Sequence, residues 1–283
     1  MHQQMVTGRA LGRTLALVGG LVASAAASAQ ADGQGRSRVP EAWRLSLGLA
    51  PIASPVFEGA DTYGLSVFPD IRLRYRDRFF ASVPNGIFYR VWNGDRLKAG
   101  PIARIRFGRE EDQGGSPFLV TGSPEGLTGL GDVDAAMEVG GFASYRFGRY
   151  LGRVELRRGF GGHEGLVGHL SLDLTGRAGS VQYAVGPRVR FASADFIDPY
   201  FGVDALQSRA SGLAEFSAEG GINRVGVGAS AVLPRGRRTT WIFFAGYDRL
   251  VGDAADAPLV SERGSANQAS IGASVSFSFD LPR

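Results

Sequence analysis

The 283-residue chain contains no cysteine. No disulfide can brace it, and no lipid can be attached through a thiol at a cleavage site. Histidine is scarce, with three residues, of which two lie beyond residue 29. With no thiols, that leaves too few soft or borderline ligands for a metal site. Charge of one sign is also lacking: 31 Lys and Arg stand against 27 Asp and Glu, for a formal net charge of +4. So small an excess on an exported chain gives no reason to expect a nucleic-acid partner. Long hydrophobic runs are missing too. Beyond residue 30 no stretch approaches the ~20 apolar residues that a spanning helix needs, so any membrane crossing must be made by strands.

The N-terminus reads as an export signal. Arg9 and Arg13 precede an apolar stretch over residues 15–27, and Ala27-Ser28-Ala29 offers a small-x-small cleavage site. The expected organisation is a signal peptide over 1–29, a short periplasmic segment over 30–42 and one domain over 43–283. Cleavage removes two arginines and no acid, so the net charge falls from +4 to +2. An exported, disulfide-free chain of this size suits a Gram-negative envelope.

What the chain has in abundance is alternation. At 270–279, Ile271, Ala273, Val275, Phe277 and Phe279 interleave with serines and Gly272. A period of two places the apolar set on one face of a strand. About twelve such runs follow one another: 43–52, 63–76, 79–91, 97–107, 133–147, 151–160 (poorer, with mixed register at Arg157-Arg158), 166–174, 181–191, 198–206, 223–233, 239–249 and 270–279. Asn93-Gly94-Asp95 and Arg177-Ala178-Gly179 are tight hairpin signals. The longer connectors span 110–132, 209–221 and 251–267.

The polar faces carry charge. Asp70, Arg72, Arg74 and Arg76 share one; Arg104 and Arg106 lie on the next such face; Asp134, Glu138 and Arg146, then Asp173, then Arg188 and Arg190 follow. Unpaired ions in a packed core cost several kcal/mol each, so these residues must meet water or one another. A lipid bilayer supplies the apolar partner of the other face, with the charges in a lumen. Aromatics gather at run ends (Trp43, Tyr75, Tyr89, Trp92, Tyr145, Phe147, Phe191, Trp241, Tyr247, Phe277, Phe279), as membrane-interface girdles do. The expected fold is an all-β transmembrane antiparallel barrel of about 12 strands, 10 being the alternative. The charges are expected to pair as a structural network across a narrow lumen, or else to line an anion-attracting pore.

Three segments carry a family resemblance. Tyr247-Asp248-Arg249-Leu250-Val251-Gly252-Asp253-Ala254-Ala255-Asp256-Ala257-Pro258-Leu259-Val260 is followed by Gly264-Ser265-Ala266-Asn267-Gln268. Leu127-Thr128-Gly129-Leu130-Gly131-Asp132-Val133-Asp134 is the second. Tyr200-Phe201-Gly202-Val203 with Gln207-Ser208 and Ser211-Gly212-Leu213 is the third. In order and spacing they resemble the MltA-interacting protein (MipA)/OmpV family across essentially the whole mature chain. The chain departs from most such barrels in ending on Asp280-Leu281-Pro282-Arg283 rather than on an aromatic residue.

The resemblance implies a Gram-negative outer-membrane barrel without enzymatic activity or cofactor. It further implies a scaffold that brings together a lytic transglycosylase and a peptidoglycan synthase, with outer-membrane lipids around a monomer. It makes Leu127, Gly129, Leu130, Gly131, Asp132, Gly252, Asp253, Asp256, Pro258 and Gln268 candidates for partner contact.

Two alternatives remain open. One is a small-solute channel with an arginine-lined lumen. The other is a lipid A-modifying hydrolase using His169 and Ser171 on one strand face with Asp173 beyond. There, nucleophile and base need hydrogen-bond contact, and i, i+2 positions lie ~6.5–7 Å apart along the backbone. His163 and Glu164 are read as turn residues. With a periplasmic N-terminus and four strands before it, the 110–132 connector is expected in the periplasm.

Overall fold

The computed structural model describes residues 43–83 and 85–281. The expected signal peptide over 1–29 and periplasmic segment over 30–42 lie outside the described residues. Fourteen strands form one sheet: β1 (Trp43–Pro55), β2 (Tyr63–Tyr75), β3 (Phe79–Ser82), β4 (Gly86–Tyr89), β5 (Trp92–Asn93), β6 (Leu97–Arg106), β7 (Leu119–Thr121), β8 (Ala136–Phe147), β9 (Tyr150–Gly161), β10 (Leu166–Ala178), β11 (Val181–Ala192), β12 (Gly221–Arg235), β13 (Thr239–Leu250) and β14 (Asn267–Asp280). Every pairing is antiparallel. β1 pairs with β2 on one side and β14 on the other, which closes the sheet. β4 and β5 are two pieces of one wall strand, both paired with β6. β7 lies against the start of β2, outside the wall. The wall is therefore a closed 12-stranded antiparallel barrel.

Closure leaves no free edge, and the alternation decides which face meets lipid. Leu47 sits between Ile71 and Phe277 in register, and all three are exposed on the outside. Gly48, Asp70 and Ser276 form the next rung and face inward. An uninterrupted outer belt of exposed Leu, Ile, Val and Phe is stable only against acyl chains. The aromatic residues named above stand on this outer surface near the strand ends, among them Trp43, Trp92, Tyr145, Phe147, Trp241 and Phe277.

Two of the anticipated runs are not single strands. Residues 79–91 fold back on themselves as the β3–β4 hairpin. Asn85-Gly86 is a turn dipeptide: Gly86 has φ +82°, and the Asn85 backbone and side-chain N–H groups both donate to the Ser82 hydroxyl, at 3.2 and 2.9 Å. Residues 198–206 are helical, forming the end of α1 (Ala194–Phe201) and the start of α2 (Ala205–Ser211). Asp204 caps α2: its carboxylate accepts from the Leu206 and Gln207 N–H groups, at 2.7 and 2.8 Å, and Gln207 answers onto the Asp204 N–H. One strand more and one fewer leave the total at twelve but change the number of wall strands that precede the 110–132 connector. The 110–132 connector follows the fifth wall strand, not the fourth.

That corrects the placement of the loop. The tight turns at 76–78, 94–96, 148–149, 179–180 and 236–238 lie at the end where β1 begins and β14 finishes; the turn of the short β3–β4 hairpin and the 162–165 connector face the other way. All the long connectors lie at the other end. Outer-membrane barrels turn short hairpins to the periplasm and long loops to the exterior, so the 110–132 segment is extracellular.

Candidate functional site

Two regions concentrate polar chemistry: the lumen, and the cap built over its loop end. In the lumen Glu138, fully buried on β8, is the centre of the densest cluster. Arg106 Nε donates to it at 2.7 Å and Arg157 Nε at 2.7 Å, while His163 Nε2 lies 3.3 Å away. Arg157 also reaches Glu155, which takes Arg153 Nε at 2.9 Å and Arg104 Nη2 at 3.5 Å. Around the wall, Arg188 clasps Asp248 with two bonds of 2.7 and 2.6 Å. Arg190 and Arg224 converge on Glu58, and Arg190 Nε also donates to Asn223 at 3.0 Å. Asp70 binds Arg72 through both oxygens and accepts from the Ser274 hydroxyl.

The other anticipated lumen residues are placed differently. Arg74 is half-buried, with its guanidinium 5.2 Å from the centre of the Phe80 ring. Arg146 is half-buried near the terminal end and donates to Thr175 at 3.1 Å. Asp173 is buried and accepts from Ser171 at 3.4 Å. Arg76 is exposed, in the β2–β3 turn at φ +50°. Asp134 is exposed, in the loop before β8, and faces no lumen partner.

Sequence reasoning missed Glu58, Arg153, Glu155, Arg157, His163, Arg224 and Asp248. A signal for three of them was present. On β9, Arg153, Glu155 and Arg157 alternate with Val154 and Leu156, a charged inner face against an apolar outer one. Arg158, which points outward near the loop end, broke the apparent register. Glu58 and His163 come from connectors, where a period of two says nothing. His163, read as a turn residue, is instead buried against Glu138.

Aromatic side chains fill the lumen between the ions. Phe80, Phe88, Phe142 and Ile102 form a buried cluster, and the Arg153 guanidinium lies 5.1 Å from both Phe88 and Phe142. These contacts stabilise a desolvated guanidinium through the ring quadrupole. Glu138, Arg157 and Arg190 are each at most 1% exposed, buried from bulk solvent.

The cap closes the loop end. α1 lies across the lumen with Phe196, Ile197, Tyr200 and Phe201 buried, and Phe196 stacks under Arg106 at 4.6 Å and Arg190 at 5.3 Å. Arg109 Nη1 donates to the Tyr200 carbonyl at the C-terminal end of the helix, at 2.7 Å, where a cation complements the helix dipole. Two short helices, α3 (Asp253–Asp256) and α4 (Pro258–Ser261), complete an apolar core with Leu250, Ala257 and Val260. A second core joins Phe57, Leu127, Leu130, Val203, Leu213 and Leu259.

The family-motif residues build this cap. Gly129 and Gly131 donate their N–H groups to the Glu111 carboxylate, at 2.9 and 2.8 Å, and Asp132 accepts from the Glu111 N–H at 2.7 Å. Gly129, at φ +84°, packs so closely on α2 that a Cβ there would meet Ala210 and Ser211 backbone at 2.6 Å. Leu127 and Leu130 are buried. Gly252 is at φ +58°, Asp253 accepts from the Glu219 N–H at 2.6 Å, and Pro258 is buried at the start of α4. Gln268 accepts from Gly59 N–H at 3.1 Å and donates to Ala60 and Ser265 carbonyls, at 3.0 and 2.7 Å. Arg263 ties three loops by donating to the Gly126, Thr128 and Ser211 carbonyls. Gly131, Asp132, Gly252 and Asp256 are exposed; the others hold loop to loop.

The family model described as MltA-interacting protein MipA matches residues 47–279. No curated protein sequence matches. Among solved structures, the chain is similar to an outer membrane channel from Pseudomonas putida F1 (11% identity, TM-score 0.45, covering 88% of this chain and 99% of that one). It is also similar to the NanC porin (9%, TM-score 0.42, 82% and 98%) and to the outer membrane protein OprD from Pseudomonas aeruginosa (11%, TM-score 0.34, 85% and 66%).

Proposed function

The chain belongs to the MltA-interacting protein family of outer-membrane barrels, and from that premise we propose that it is a non-enzymatic scaffold for peptidoglycan-remodelling enzymes. The observation that carries this reading is the filled and capped interior. A barrel whose central side chains are withdrawn from water and whose loop end is closed by a helix offers its surfaces rather than a passage. The family description names MltA as an interacting protein; the family resemblance implies that this partner is a lytic transglycosylase, with a peptidoglycan synthase as the second enzyme such a scaffold would hold. The contact belongs at the terminal end, where the tight turns face the periplasm. The exposed motif residues lie at the opposite end and are out of reach of periplasmic enzymes.

The test is affinity capture from a solubilised envelope extract on the refolded, immobilised barrel, against an unrelated barrel of similar size. Specific retention of a lytic transglycosylase or a peptidoglycan synthase is expected. Recovery of nothing beyond the control set would remove the scaffold reading.

The channel reading draws support from one feature: inward-facing arginines outnumber the acids that pair with them. It requires discrete conductance in a planar bilayer, altered when Arg104 and Arg106 are neutralised. The hydrolase reading finds little in the geometry. His169 and Ser171 alternate with Leu170 and Leu172, which are on the lipid face, so the pair points away from any acyl substrate. Ser171 donates to Asp173, not to the imidazole.

A further inference from the structure

The two ends of the barrel carry opposite charge. At the loop end, residues 107–135 hold six acids and one arginine, residues 193–220 five acids and one arginine, and residues 251–266 three acids and one arginine. The terminal end is the reverse. Arg76 and Arg78 sit in the β2–β3 turn, Arg96 in the β5–β6 turn and Arg149 in the β8–β9 turn. Arg177 stands at the end of β10, and Arg235, Arg237 and Arg238 surround the β12–β13 turn. All eight are exposed. Among the described residues the acids at this end are Asp77, which Arg90 and Lys98 engage, Asp280, which Arg44 engages at 2.7 Å, and Asp95.

The arrangement is circumferential. Each of the five turns contributes, so the arginines ring the barrel instead of gathering on one side. They also stand at the level of the outer aromatic girdle. The Arg76 guanidinium lies 5.3 Å from the centre of the Tyr75 ring, and Arg149 Nη2 donates to the Tyr183 hydroxyl at 3.2 Å. Trp43, Phe147, Tyr150 and Trp241 complete the girdle at this end. A protein partner touches one side of a barrel, whereas lipid headgroups touch all of it. Aromatics mark the headgroup depth, and arginines with long apolar stems reach the phosphate layer from there.

We propose that the arginine ring at the terminal end binds the phosphates of anionic phospholipids in the periplasmic leaflet, forming a headgroup belt that anchors the barrel and selects its orientation. Guanidinium groups suit this ligand because they hold phosphate oxygens in paired, charge-assisted hydrogen bonds. This inference is independent of the scaffold reading.

The test uses the full mature chain refolded into phosphatidylcholine bilayers, with trace spin-labelled phosphatidylglycerol or phosphatidylcholine as the probe of lipid in contact with the barrel. The wild type is expected to prefer phosphatidylglycerol, and the preference to fall as salt rises. Replacing Arg235, Arg237 and Arg238 together by Gln should lower that preference at least about tenfold, taking a fewfold per arginine near an anionic surface. Replacing the exposed loop-end acids Asp132 and Asp256 by Asn should leave it unchanged. Heat-modified gel mobility identifies the folded fraction, and only folded protein is compared. Inorganic phosphate at millimolar concentration should not displace the labelled lipid. No phosphatidylglycerol preference in the wild type, or an equal preference in the triple variant, would overturn the proposal. So would loss of enzyme capture by the triple variant with lipid preference intact, since the ring would then serve a protein, and so would displacement by free phosphate.

Discussion

Glu138 shows how a single residue holds the lumen together. Its two oxygens are divided between Arg106 and Arg157, with His163 alongside. Removing its charge leaves Arg106 without a carboxylate and Arg157 with Glu155 alone, in a site buried from bulk solvent. Breaking a buried pair this way typically costs about 3–5 kcal/mol. Glu138→Gln should therefore lower the urea midpoint of the refolded barrel markedly, whereas Asp134→Asn, at an exposed position, should not move it.

Glu58 provides a pH test outside the strands. Burial pushes its carboxyl up, but Arg190 and Arg224 outweigh burial and hold it well below the ordinary value of 4.5. A carboxylate depressed on folding stabilises fully above its unfolded value and loses that contribution only as pH falls through the folded one. The Glu58 clasp should thus begin to weaken only below about pH 4.5 and persist in part well into acid. Near-ultraviolet circular dichroism of the wild type against Glu58→Gln, followed from pH 7 to pH 3, reads this. A transition in the wild type near neutral pH that the variant lacks would contradict it.

At the scale of elements, the cap and the wall are held by different physics. The wall rests on backbone ladders that close on themselves, and the cap on loop-to-loop hydrogen bonds and two small apolar cores. Changes in the cap should loosen it without unrolling the barrel. Gly129→Ala places a Cβ 2.6 Å from the α2 backbone at a positive φ, a strain of about 1–3 kcal/mol. Faster limited proteolysis within residues 107–135 is expected, with unchanged heat-modified gel mobility. Arg263→Ala removes the link among three loops and should do the same at 251–266.

The elements also show where alternation serves as a guide and where it fails. Ten of the twelve runs read from the pattern correspond to wall strands, because lipid outside and polar groups inside impose a strict period of two. The β3–β4 hairpin was hidden because apolar residues flank its turn on both sides, although Asn85-Gly86 marked it. The 198–206 helices were hidden because they are too short for a helical period to stand out, and Asp204 with Gln207 was their one local sign.

For the molecule as a whole, the decisive fact is which end faces out. The absence of native cysteine makes this directly testable. Val120→Cys, at a 63% exposed position of the loop end, should react in intact cells with a membrane-impermeant maleimide. Arg237→Cys, at the terminal end, should react only after the outer membrane is breached. The reverse pattern would invert the barrel and move the acidic cap into the periplasm.

The amino-acid sequence by itself determined the antiparallel barrel, the lipid-facing residues and the family, because each rests on local order: a period of two, a motif. Which arginine meets which acid was decided only by closure, which brings Glu58 beside Arg190 and Arg224, and Arg188 beside Asp248, from positions far apart in the chain. The tertiary structure likewise decided that the motif loops fold onto one another as a cap and that the arginines of five separate turns form one ring. Pairing across a barrel depends on strand count and register, and one hidden hairpin is enough to exchange the two sides of the membrane.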